Sequence, residues 1–114
     1  MSSEITVFDR AAFLDRLQGD REIAAYILEV FISELPGLLA VLLASCQAGD
    51  LEAAARQAHS IKGSAANVGA EVIKCLAVQA EKACEQRELK IVAELVGQME
   101  SALQDFRRAV AGDN

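Results

Sequence analysis

The chain has 114 residues, 53% of them apolar and 25% charged, with a formal net charge of −6. That length fits one domain and leaves no room for a second, while the apolar fraction is enough to build a buried core. The acidic balance repels nucleic acid and anionic lipid, and the longest apolar run, Leu38 to Ala44, falls far short of the roughly 20 residues that cross a bilayer.

The opening residues, with Glu4 and Asp9 and no basic-then-apolar order, do not form a secretory signal. Asp9 is placed to cap a short first helix that runs to Leu17 and stops at Gly19. Asp20 caps a second segment, to about residue 48, in which Ile23, Ile27, Val30 and Phe31 recur at helical spacing. Pro36 is expected to break or kink it, because the proline ring clashes with the preceding turn. Gly49-Asp50 repeats the stop-and-cap arrangement before a helix over 51–68, followed by helices over about 70–86 and 89–110. Alanine and leucine dominate and tryptophan is absent, which favours helix over strand. Connections of two to four residues imply antiparallel neighbours. The predicted fold is all-α: an antiparallel four-helix bundle, residues 1–114, with one or two short additional N-terminal helices. Cys46, Cys75 and Cys84 are odd in number and lack Cys-x-x-Cys spacing. They read as small buried hydrophobes rather than a disulfide framework or zinc site.

The segment 51–68 is the informative one. Leu51, Ala54, Ala58, Ile61, Ala65 and Val68 form a single apolar stripe. At about 100° per residue, His59 lies roughly 130° from the centre of that stripe and Gly63 nearly opposite it. Lys62 falls on the flank between them, and Glu52, Arg56 and Asn67 complete the solvent side. The only histidine of the chain therefore stands mid-helix and exposed, with a lysine at i+3 and a glycine at i+4. A glycine inside a helix costs about 1 kcal/mol relative to alanine. Its presence here, with Ala55 and Ala66 nearby, points to clearance kept for the close approach of another protein.

A neutral imidazole is a fair nucleophile near neutral pH. A phosphoryl group on its ring nitrogen would need nearby positive charge, which Lys62 can supply as a flexible point charge. A second polar group could hold the other ring nitrogen and fix the tautomer. Spacing alone also accommodates an incidental surface histidine on a non-catalytic helical interaction module.

The run Ala58-His59-Ser60-Ile61-Lys62-Gly63-Ser64-Ala65-Ala66-Asn67-Val68-Gly69-Ala70 resembles the histidine-containing phosphotransfer (Hpt) domain family. The likeness extends outwards to Phe31 with Pro36, to Gly49-Asp50-Leu51 and to the helix that follows. It implies that His59 accepts a phosphoryl group from the phospho-aspartate of a receiver domain and passes it to another receiver in a two-component phosphorelay. By position, Lys62 matches the family's phosphate-neutralising lysine and Gly63 its clearance glycine. In some relatives a glutamate or glutamine 22 positions after the histidine bonds to the imidazole; here that residue is Glu81, with Gln79 a near neighbour. Arg56, Ser64, Ala66 and Asn67 become candidates for partner contact. The same opening occurs in phosphoacceptor domains of chemotaxis-type histidine kinases, which continue with glycine-rich and aromatic residues where this chain has Ser64 to Val68.

The resemblance implies a carrier rather than an enzyme, with no cofactor or metal of its own and Mg²⁺ supplied by the receiver. Its partners would be response-regulator receiver domains and a sensor or hybrid histidine kinase, with no nucleic acid and no membrane. The expectation is a cytoplasmic monomer, and the Met1 start and Asp113-Asn114 end are read as those of a free-standing protein.

Overall fold

The computed structural model describes residues 6–112; the expectations resting on Met1, Glu4 and the Asp113-Asn114 tail lie outside the described residues. Five helices follow one another: α1 (Arg10–Arg16), α2 (Arg21–Gln47), α3 (Leu51–Val68), α4 (Glu71–Glu85) and α5 (Leu89–Val110). Three starts are set by aspartates. The side chains of Asp9, Asp20 and Asp50 each accept a bond from the amide three residues on, at 3.1 Å, satisfying one otherwise orphaned donor. Gly19, Gly49 and Gly69 close the preceding elements with positive φ, as the left-handed end of a helix demands. Successive long helices run antiparallel through these short turns. α2 and α4 each pack on both α3 and α5, so α3 and α5 stand diagonally across the bundle.

α2 excludes a break at its proline. It runs unbroken through Pro36, although an interior proline costs about 3 kcal/mol. Leu28 and Phe31 are buried before the proline and Leu35, Leu39, Leu42 and Cys46 around and beyond it. Each such side chain contributes roughly 1.5–3 kcal/mol on burial, so packing on both sides outweighs the local penalty. The four apolar positions read along this segment are not its buried face. Of these only Phe31 is buried; Ile27 and Val30 are half-buried and Ile23 is exposed. α2 therefore carries two apolar stripes, one facing the core and one beside it. Among the described residues it is the one helix long and apolar enough to cross a membrane by length and composition, which the short uninterrupted apolar run did not suggest. Its leucine stripe is instead part of the bundle core.

α1 crosses the end of the bundle and holds two helix termini. Arg10 Nη2 donates to the carbonyls of Ala109 (2.7 Å) and Val110 (3.2 Å) on α5. Arg16 Nη2 does the same for Asn67 (2.7 Å) and Ala66 (3.2 Å) on α3. These carbonyls lie in the last turns, beyond the regular i to i+4 ladder; Ala66 and Ala109 also accept from the amides of Gly69 and Gly112. The amide of Asp9 donates to Gly69 O at 2.9 Å. A Cβ at position 69 would meet Asp9 O at 2.9 Å, so this close approach needs glycine as well as its positive φ. Below α1, Phe106 makes edge-to-face contacts with Phe8 (5.2 Å) and Phe31 (5.4 Å). All three cysteines are free; Cys46 and Cys84 are buried, but Cys75 is only half-buried because it sits off the centre of the α4 stripe. Burial pushes the Cys84 thiol up to about 11, with Cys46, Glu85 and Glu81 adding in the same direction.

Candidate functional site

The six residues of the stripe read along 51–68 are the buried face of α3: Leu51, Ala54, Ala58, Ile61, Ala65 and Val68. α4 buries Ile73, Ala77, Ala80, Ala83 and Cys84. With alanine at so many buried positions on both helices, the two backbones can approach closely, and α3 and α4 form the most extensive pairing of the bundle. That closeness lets a short side chain of one helix reach the exposed face of the other.

His59 leaves α3 with 62% of its side chain exposed, and its Nδ1 lies 3.2 Å from both carboxylate oxygens of Glu81 on α4. A carboxylate only accepts hydrogen bonds. The neutral ring must therefore carry its proton on Nδ1 and donate it to Glu81, which leaves the lone pair on Nε2, at the far edge of the ring. Glu81 is itself 24% exposed and has Lys62 Nζ 3.9 Å from Oε1. One carboxylate thus ties together the imidazole and the flanking ammonium. Such a half-exposed ion pair is worth about 0–1 kcal/mol, so Lys62 can swing to another anion at small cost. Gln79 is exposed and makes no bond to His59; of the two candidates behind the ring, Glu81 is the one in contact.

Gly63 is exposed, and a Cβ there would meet nothing within 4 Å. Arg56 is exposed one turn before His59, while Ala66 is half-buried and its carbonyl is engaged by Arg16. Ser64 and Asn67 are exposed and line a shallow groove of about 150 Å³ with Ile27, Val30, Glu34 and Leu38 of α2. Periodicity marks Ile27 and Val30 as apolar helix positions but does not say that they line a surface groove. The available signal was an excess of apolar positions on α2 over what one buried face can use.

A model of the Hpt domain matches residues 27–109, nearly three quarters of the chain. The chain belongs to the Hpt domain family. The matched stretch of this Hpt domain spans the greater part of α2, all of α3 and α4, and α5 to its last turn. Over 83 residues, 73% of the chain, it is 32% identical to the phosphorelay intermediate protein rdeA of Dictyostelium discoideum, and the match covers 33% of that protein. The chain thus spans about a third of the length of the curated relative it matches. No solved structure matches the chain.

Proposed function

We propose that this Hpt domain carries a phosphoryl group on Nε2 of His59, taken from the phospho-aspartate of a receiver domain and passed to another receiver in a two-component phosphorelay. The observation that carries this reading is the pairing of Nδ1 with Glu81 at 3.2 Å on a ring whose other nitrogen faces outward. The Nε2 lone pair attacks phosphorus, the bond from phosphorus to the aspartyl oxygen breaks, and its electron pair stays on the aspartate as carboxylate. The ring keeps its Nδ1 proton throughout and becomes cationic, and Glu81 stabilises that charge. Lys62, already within 3.9 Å of Glu81, turns to the phosphoryl oxygens. Return of the group to a second receiver is the same step reversed.

The chain acts here as carrier and co-substrate: the receiver brings the aspartate and the Mg²⁺ that neutralises the transferring group. Open space at Gly63 lets the receiver's acidic site close over the imidazole. Arg56, Ser64 and Asn67, with the groove formed by Ile27, Val30 and Leu38, form the surface on which the receiver seats. In this role the protein works in the cytoplasm, between a sensor or hybrid histidine kinase and response regulators.

The test is incubation with a phosphorylated receiver and Mg²⁺, followed by intact-mass measurement. The expected result is an acid-labile gain of one phosphoryl group that is absent from a His59→Gln variant. Labelling that persists in His59→Gln would sink the assignment.

A further inference from the structure

The bundle carries a second and larger groove, on the side of α2 that faces α1 and α5 rather than α3. It encloses about 750 Å³ between α1, the first half of α2 and the end of α5, within the roughly 300–1,000 Å³ of ligand-holding clefts. Because α5 stands diagonally opposite α3, a molecule seated there leaves His59 uncovered. Most of the lining, from Phe8 to Tyr26 and at Val110 and Ala111, lies outside the family-matched residues 27–109.

Its floor is apolar, built from Phe13, Leu14, Ile32 and Val110. Its charged lining is the reverse of the whole molecule's. Arg10, Arg21 and Arg107 face one carboxylate, Glu29, in a chain of net charge −6. Arg10 is engaged by the α5 carbonyls and lies over the Phe8 ring at 4.9 Å. Arg21 and Arg107 have no ion pair among the described residues and stand exposed. Tyr26, 67% exposed, adds an amphipathic ring to the rim, a residue type enriched at interfaces. The α2 wall from Arg21 to Ser33 runs about 18 Å at 1.5 Å per residue, or about three helical turns.

We infer that this groove docks a short acidic amphipathic helix of a partner protein, which tethers the phosphocarrier while His59 stays open. The apolar floor takes side chains at i, i+3 or i+4 and i+7 of the incoming helix, and flanking carboxylates meet Arg21 and Arg107. A second copy of the chain would reveal itself as self-association, which sedimentation separates from binding of a partner helix.

The experiment selects displayed peptides of about 14 residues on the immobilised full chain, then measures the winners against the wild type and an Arg21→Glu/Arg107→Glu variant. Both arginines are exposed, so the fold should persist, and far-UV circular dichroism checks it; Ala25→Glu, on the exposed groove wall, serves as a second variant. The expected winners are acidic, with apolar residues at helical spacing, and bind each variant about tenfold or more weakly. Amide NMR shifts should concentrate at 8–33 and 107–111 and leave the His59 ring signals in place. No enrichment, basic winners, equal binding to both variants, or shifts centred on α3 and α4 would overturn the inference. So would self-association by sedimentation that the variants abolish, since the occupant would then be a second copy.

Discussion

The two ring nitrogens of His59 have different surroundings: Nδ1 is 3.2 Å from both oxygens of Glu81, and the opposite edge of the ring stands in solvent. Lys62 shares the same carboxylate at 3.9 Å, so the site at rest is a small charge-balanced cluster that an arriving anion can rearrange. Gly63 contributes by lacking a side chain. Since a Cβ there touches nothing within 4 Å, the glycine serves no packing need, and Gly63→Ala should raise stability by about 1 kcal/mol in urea denaturation. Gly63→Leu should keep the fold and slow phosphoryl transfer from a receiver; an unchanged transfer rate would contradict the clearance role. The positions of His59, Lys62 and Gly63 were legible from periodicity because all three belong to one helix. Glu81 was not legible that way. Which α4 residue meets the ring depends on the register of two helices, set by buried alanines at 77, 80 and 83; family likeness pointed to Glu81 with Gln79 beside it, and the contact at 3.2 Å is with Glu81.

Helix starts with aspartate caps and helix ends with glycine were readable, because each rests on a local hydrogen bond or a local φ. α2 was harder on both counts where distant packing decides. Pro36 is overridden by leucines on either side, and the choice between its two apolar stripes depends on partners that the stripe itself does not name. The end of α4 is a further case. Arg87 takes φ 60, a left-handed conformation that costs an L side chain roughly 1–2 kcal/mol, at a position where glycine commonly sits. Its amide bonds to Cys84 O at 3.0 Å and the next amide, of Glu88, to Ala83 O at 2.8 Å, so the turn is formed despite the strain. Replacing Arg87 with glycine should therefore stabilise the domain by about 1 kcal/mol, read as a higher urea midpoint with an unchanged slope. A lower midpoint would mean that the arginine side chain contributes more than its backbone strain removes.

The whole molecule presents a histidine from one helix and a carboxylate from the next on a rigid bundle, with the short α1 tying one end. That tie depends on Phe106, fully buried and in edge-to-face contact with Phe8 and Phe31. Phe106→Ala should lose about 3–5 kcal/mol, a large share of the roughly 5–15 kcal/mol that a domain commands, and thermal unfolding would show it as a strongly lowered midpoint. A shift of only one or two degrees would place the anchor of α1 elsewhere. The bundle and its antiparallel order followed from helix lengths and short turns. The long-range ties, Arg10 to α5 and Arg16 to α3, join residues far apart in sequence and left no local trace. The most direct test of the phosphocarrier account uses the fact that the chain has a single histidine, so ring-nitrogen NMR of the phosphorylated protein reports one site. The expected result is phosphorus on Nε2 of His59 with the Nδ1 proton retained; a phosphoryl group on Nδ1, or on any other side chain, would contradict the assignment.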